Sequence, residues 1–149
     1  MHPPSLAMPR LRCFIVEDSP IILHSLVDTL EQLAPITVVG HADTEASALA
    51  WLRQHPQDCD LLILDVYLRQ GTGLRVLGAL RGSMADMHRV MLTNYATDDV
   101  RRRCLEQGAS RVFDKSSELE ELFAYCTELA EPLAPSMPAM PRADGAPTQ

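Results

Sequence analysis

The sequence predicts an α/β fold, a five-stranded parallel sheet wound on both faces by helices, and three observations carry that reading. Strand-like and helix-like stretches alternate five times along the chain, the pattern that leads to a parallel sheet with helices on either side. Leu61-Leu62-Ile63-Leu64 is apolar at every position, as expected of a strand buried on both faces. Polar residues then follow the apolar runs directly, at Glu17-Asp18, Asp65, Thr93 and Lys115. In open parallel sheets the chemistry gathers at these carboxyl ends of the strands.

Leu11 to Val16 reads as the first strand from its β-branched and aromatic content, and it runs into Glu17-Asp18. Ser19-Pro20 opens a helix with an apolar stripe at Ile22, Leu23, Leu26, Val27, Leu30 and Leu33 until Pro35 stops it. Ile36 to Val39 is a short second strand. A second helix covers Thr44 to Gln54, with Ala46, Leu49, Ala50 and Leu52 as its apolar positions. The third strand ends on Asp65 and breaks into the loop Val66 to Gly73. Leu74, Val76, Leu77 and Leu80 mark a third helix that ends by Gly82.

Val90 to Thr93 is the fourth strand. Thr97-Asp98-Asp99 caps a fourth helix with Val100, Cys104 and Leu105 inward, Arg101, Arg102 and Arg103 crowding its start, and Gly108 closing it. Three successive arginines suit a solvated face and a partner-binding face equally well. Arg111-Val112-Phe113 is a weak fifth strand leading to Asp114-Lys115. A capping box at Ser117 to Glu120 then starts a last helix with Leu119, Leu122, Phe123, Cys126 and Leu129 on one side.

The composition, 46% hydrophobic and 22% charged over 149 residues, suits one domain with a real core. A net charge of -7 argues against non-specific nucleic-acid binding. Cys13, Cys59, Cys104 and Cys126 are far apart and form no CxxC pair, which speaks for reduced thiols in a cytoplasm and against a zinc site or a disulfide framework. The start lacks a signal-peptide pattern and no stretch is long enough to span a bilayer. The expectation is a cytoplasmic protein without membrane insertion. Prolines crowd both ends: Pro3, Pro4 and Pro9 precede the first strand, and Pro132, Pro135, Pro138, Pro141 and Pro147 punctuate the end. The expected organisation is a flexible segment 1–9, a folded domain 10–131 and a disordered proline-rich tail 132–149.

A lone Asp after a strand usually caps a turn, so the neighbours must decide what Asp65 does. Three carboxylates brought together at one sheet edge repel, by about 4 kcal/mol for a pair ~4 Å apart at an effective dielectric of ~20. A hard divalent cation relieves this, and Mg²⁺ takes oxygen ligands of this kind. A carboxylate beside such an ion can act as a nucleophile that becomes an aspartyl phosphate. Lys115 is the only lysine, against twelve arginines. A compact ammonium beside a phosphoryl oxygen is a task that the broad arginine fork does not replace.

Glu17-Asp18, Asp65, Thr93 and Lys115, in that order and each after its own strand, resemble the receiver domain of bacterial two-component response regulators. The resemblance covers roughly residues 10–131. It implies the flavodoxin-like strand order 2-1-3-4-5 and a phosphoacceptor, Asp65, served by a sensor histidine kinase or a histidine phosphotransfer protein. It further implies Mg²⁺ on Asp18, Asp65 and the backbone carbonyl of Tyr67, with Glu17 reaching it through water. Thr93 is then expected to hydrogen-bond the phosphoryl group and Lys115 to neutralise it, in an in-line transfer governed by positioning and charge. With only a proline-rich tail after residue 131, the expectation is a stand-alone regulator. Its output is protein contact through the fourth helix, fifth strand and fifth helix.

The chain departs from the family at three places. Arg69 stands where a proline is common, Ser116 replaces a proline after Lys115, and Val112 replaces the aromatic ring that turns inward on activation. Tyr95, two residues past Thr93, is the expected replacement reporter of the switch, and Tyr67 and Tyr95 are expected to shield the site mouth from water. A phosphorylation-independent adaptor is an alternative favoured by Val112. An aspartyl-phosphate phosphatase of the haloacid-dehalogenase type is another, opposed by Tyr67, because those enzymes carry a second Asp two residues after the nucleophile. The domain is therefore expected to signal and not to turn over an external substrate.

Overall fold

A computed structural model describes residues 10–130; the expected flexible segment 1–9 and the tail 132–149 lie outside the described residues. The chain runs β1 (Leu11–Val16), α1 (Pro20–Leu33), β2 (Ile36–Ala42), α2 (Glu45–Gln54), β3 (Leu61–Leu64), α3 (Gly73–Leu80), β4 (His88–Thr93), α4 (Asp98–Glu106), β5 (Arg111–Asp114) and α5 (Leu119–Ala130). The five strands form one parallel sheet in the order β2-β1-β3-β4-β5. No helix among the described residues is long and apolar enough to cross a membrane.

Because side chains alternate across a strand, each strand feeds two cores. Phe14, Val16, Leu62, Leu64, Met91 and Val112 pack with residues of α2, α3 and α4. Cys13, Ile15, Leu61, Ile63, Val90, Leu92 and Phe113 pack with α1 and α5 on the other face. β3 is fully buried along its length, as its unbroken apolar run requires. The two-sided packing makes β3 and its neighbours a rigid base for the loops at their carboxyl ends.

Several local expectations need correction. β2 continues past Val39 to Ala42, with a bulge opposite Cys13 and Phe14 that leaves Val39 without a register partner. Gly40 hides the continuation in the sequence, and it sits in a crowded place: a Cβ would come within 3.0 Å of the Phe14 and Trp51 rings. β4 starts earlier, at His88, and β5 extends to Asp114.

In α2 the buried positions are Ala48 and Leu52, while Ala46 and Ala50 face solvent. Leu33 is exposed at the last turn of α1, where the chain turns and buries Ala34 instead. Leu105 is exposed too, being one residue and hence ~100° round the helix from buried Cys104. The capping box at Ser117 to Glu120 does not form. The Glu118 carboxylate turns back to accept from the Asp114 amide (2.8 Å) and from Arg101 (2.9 Å), and α5 begins at Leu119.

Candidate functional site

The sheet order decides which strand ends meet. β1 and β3 are neighbours in register through Val16 and Leu64, so Glu17 and Asp65 leave the sheet side by side, with the Asp65 amide donating to the Val16 carbonyl (3.0 Å). β4 and β5 follow on the far side of β3, pairing Thr93 with Asp114. The Lys115 amide donates to the Thr93 carbonyl (2.9 Å). From there its side chain reaches across the edge of β4. Its Nζ lies 2.6 Å from both Glu17 Oε1 and Asp65 Oδ2.

Glu17, Asp18 and Asp65 offer carboxylate oxygens within 4.8 Å of one another. Glu17 is buried, and its second oxygen accepts from the Ser19 amide at 3.0 Å. Asp65 is buried as well, and its Oδ1 accepts from the Tyr67 amide at 3.3 Å. Asp18 is half-buried at the rim. The expected residues Glu17, Asp18, Asp65 and Lys115 are thus brought together by the fold. Thr93 stands on the adjacent strand end, fully buried, and its hydroxyl oxygen accepts from the Tyr95 amide (3.2 Å).

Charge in this cluster is unbalanced. Burial pushes the Glu17 carboxyl above its ordinary value, against the opposing pull of Lys115 and the Ser19 amide. Burial does the same to Asp65, again opposed by Lys115. For Lys115, burial works against the ammonium, but the hydrogen bonds to Asp65 and Glu17 outweigh it and hold the group above its usual range. One ammonium is shared by two buried acids with a third alongside, which leaves a local deficit of positive charge. An all-oxygen donor set with that deficit fits a hard divalent cation such as Mg²⁺.

The surrounding loops are shaped by specific residues. Gly73 packs so closely on the acceptor strand end that a Cβ would lie 2.1 Å from the Asp65 carbonyl oxygen. Ser116 fills the place of the expected proline in a turn made by Asp114, whose Oδ1 accepts from the Ser116 amide (2.8 Å) and hydroxyl (2.5 Å). These bonds hold the Asp114 carboxyl below its ordinary value. The described peptide bonds are all trans. At the mouth, the half-exposed rings of Tyr67 and Tyr95 meet edge to face, centroids 5.4 Å apart at 89°. Val112 is buried on the α4 side of the sheet, opposite in facing to Phe113.

Two features escaped the sequence. Arg101 is neither a solvated residue nor a free docking group: it donates to the Ala96 carbonyl (3.0 Å), the Val112 carbonyl (3.1 Å) and Glu118 (2.9 Å). Its spacing of three from buried Cys104, which puts both on one side of α4, was the available signal. Arg102 and Arg103 do face solvent and pair with Asp99 on their own helix, Arg102 also with Glu106. The second feature is Glu45, whose carboxylate leaves α2 for the Thr72 amide and Arg75.

Residues 13–127 match the family model described as the response regulator receiver domain. The chain is similar to the DNA-binding transcriptional activator DevR/DosR of Mycobacterium tuberculosis, 32% identical over 100 residues that make up 67% of this chain and 45% of that protein. The chain spans about half the length of the curated relatives it matches. Among solved structures, the signal receiver domain of NarL from Mycobacterium tuberculosis superposes with a TM-score of 0.72 at 24% identity, covering 82% of this chain and 97% of that one. A Burkholderia pseudomallei response regulator solved with a phosphorylated aspartic acid and a calcium ion gives 0.68 at 20% identity, covering 82% and 69%. These structures share the fold, and the match to the family model runs from within β1 into α5. The chain belongs to the response regulator receiver domains, the signalling domains of two-component systems.

Proposed function

We propose that Asp65 accepts a phosphoryl group from the phosphohistidine of a sensor histidine kinase or histidine phosphotransfer protein in the cytoplasm. The observation that carries this reading is Lys115, the only lysine, with its Nζ 2.6 Å from both Asp65 and Glu17 inside a cluster of three carboxylates. An Asp65 carboxylate oxygen forms the new bond to phosphorus. The phosphorus–nitrogen bond breaks in line with it, and its electron pair stays on the imidazole nitrogen. Asp18, Asp65 and the Tyr67 carbonyl would hold Mg²⁺, with Glu17 reaching it through water, and the ion would supply positive charge to the phosphoryl oxygens. Lys115 exchanges its bond to Asp65 for one to a phosphoryl oxygen. Thr93 accepts from Tyr95 through its hydroxyl oxygen, which leaves its proton to donate to another.

The product is a signal, delivered through the face formed by α4, β5 and α5. With Val112 in place of a ring, the moving part is assigned to the β4–α4 loop, where Thr93 closes on the phosphoryl group and draws Tyr95 with it. DNA binding belongs to the name of a relative of which the matched residues make up 45%. The receiver itself, in a chain of net charge -7, is assigned no direct nucleic-acid contact.

Intact-mass spectrometry after incubation with acetyl phosphate and Mg²⁺ tests the proposal. One phosphoryl group is expected on the wild-type protein and none on Asp65→Asn. Unchanged labelling of the Asn variant refutes the assignment.

A further inference from the structure

Glu45 opens α2, and an acid there ordinarily serves its own helix dipole. In α2 that work is already done by others. The Ser47 amide donates to Thr44 Oγ1 (3.1 Å) and the Thr44 amide to Ser47 Oγ (3.3 Å), a complete capping box. The Glu45 carboxylate instead leaves its helix. Oε1 accepts from the Thr72 amide (3.3 Å) and Oε2 from Arg75 Nε (3.2 Å), with the side chain only 22% exposed. The Glu45 amide donates to the Gln70 carbonyl (3.0 Å), Thr44 bridges Gln70, and Arg69 pairs with Asp43 at 2.8 Å.

The segment held in this way is the one that follows Asp65. It is closed on itself by the Tyr67–Thr72 bridge and by the Gly73 amide donating to the Val66 carbonyl (2.8 Å). The Thr72 amide that Glu45 grips therefore belongs to the residue paired with Tyr67. Gly71, at φ +82°, lies under the Glu45 side chain, where a Cβ would come within 2.4 Å of it. Both the left-handed backbone and the lack of a side chain are needed for the carboxylate to reach.

We propose that Glu45 is a positioning residue for the acceptor loop, fixing the Tyr67 carbonyl as a metal donor from outside the carboxylate cluster. The proposal rests on the assignment of Asp65 and its neighbours as a Mg²⁺ site. α2 starts at the same edge of the sheet, three residues past Ala42, whose carbonyl accepts from the Glu17 amide (3.0 Å), but the Glu45 carboxylate bonds to Thr72 and Arg75 and not to the clustered acids or Lys115. It acts only through the loop, by removing alternative positions of Tyr67 before metal arrives.

MgCl₂ titrations followed by NMR, and amide hydrogen exchange of the metal-free protein, test this on wild type, Glu45→Ala and Glu45→Gln. Glu45→Ala is expected to weaken Mg²⁺ binding about tenfold, the lower end of what outer-shell partners contribute. It should also speed exchange at residues 67–73 while leaving β1 and β3 protected. Gln keeps a carbonyl oxygen for the Thr72 amide and loses only the charge toward Arg75, so Glu45→Gln is expected to recover most of the affinity. Unchanged affinity in Glu45→Ala overturns the proposal. Loss of affinity with exchange raised throughout the sheet, or with no recovery in Glu45→Gln, also overturns it, since a general loss of structure then explains the result. Absence of Mg²⁺ binding in the wild-type protein refutes the metal-site reading itself, a distinct outcome that takes the metal role of Glu45 with it.

Discussion

Removing the ammonium from the cluster, with Lys115→Met, should expose how much charge the folded chain is holding in check. Lys115 is nine-tenths buried at its side chain and meets Glu17 and Asp65 at 2.6 Å each. Without it, two buried carboxylates face one another with oxygens within 4.8 Å, a repulsion of about 3.5 kcal/mol at an effective dielectric of ~20. The protein can escape by protonating one acid. At pH 7 that escape costs about 3.7 kcal/mol for a group of ordinary pKa ~4.3, and at pH 5 only about 1 kcal/mol. The metal-free variant should therefore be about 3 kcal/mol less stable than wild type at pH 7 and about 1 kcal/mol less stable at pH 5.

The direction follows from linkage. Burial raises both carboxyls in the folded state already, and losing Lys115 raises them further. An acid raised on folding contributes stability below its unfolded pKa and loses it as pH rises through the folded value, so the deficit of the variant must grow with pH. Urea unfolding at the two pH values, read by the midpoint at constant slope, measures it. Saturating Mg²⁺ should also stabilise the variant more than the wild type, because the metal no longer competes with an ammonium. An equal loss at both pH values, or a loss below ~0.5 kcal/mol, would mean that the lysine is a solvated surface partner and would refute the reasoning.

Asp18→Ala should abolish Mg²⁺ binding in a calorimetric titration and leave the metal-free melting temperature unchanged or higher, since one of three crowded carboxylates is gone. Replacing Tyr67 and Tyr95 together with Asn should shorten the lifetime of the phosphorylated form about fivefold, matching the ~1 kcal/mol of an edge-to-face pair; phosphate release following removal of acetyl phosphate reads it, and an unchanged rate would exclude shielding. Arg101→Ala should destabilise the domain by about 2 kcal/mol in urea unfolding, since it removes a donor from two backbone carbonyls and leaves the Glu118 carboxylate with the Asp114 amide alone.

The sequence was most legible where one physical demand dominated a whole segment. The apolar run of β3 and the mixed β-branched content of β1 and β4 could form only buried strands, and so the strand ends that carry Asp65, Glu17 and Thr93 were located correctly. Lys115 stood out for its rarity and its place after β5. Lost were the features set by contacts between distant segments. Nothing near Ser117 shows that the Glu118 carboxylate will be drawn off to Arg101 and the Asp114 amide, which starts α5 later than its capping pattern suggests. Nothing near Gly40 shows that two rings from other elements occupy the space of its missing side chain.

The three arginines of α4 show why residue type alone misleads there. Successive helical residues are turned by ~100° from one another, so Arg101, Arg102 and Arg103 cannot share one environment. Arg102 and Arg103 spend their charge on Asp99 in solvent, where such pairs contribute ~0.5 kcal/mol or less. Arg101, turned inward with Cys104, joins the loop after β4 through Ala96, the strand β5 through Val112 and the turn before α5 through Glu118. Those segments carry Tyr95 and Lys115, and the first of them follows directly on Thr93. The Val112 side chain already packs on the α4 side of the sheet, its backbone carbonyl adds a second tie through Arg101, and a guanidinium with several fixed donors is the group that can hold that carbonyl and two further acceptors together.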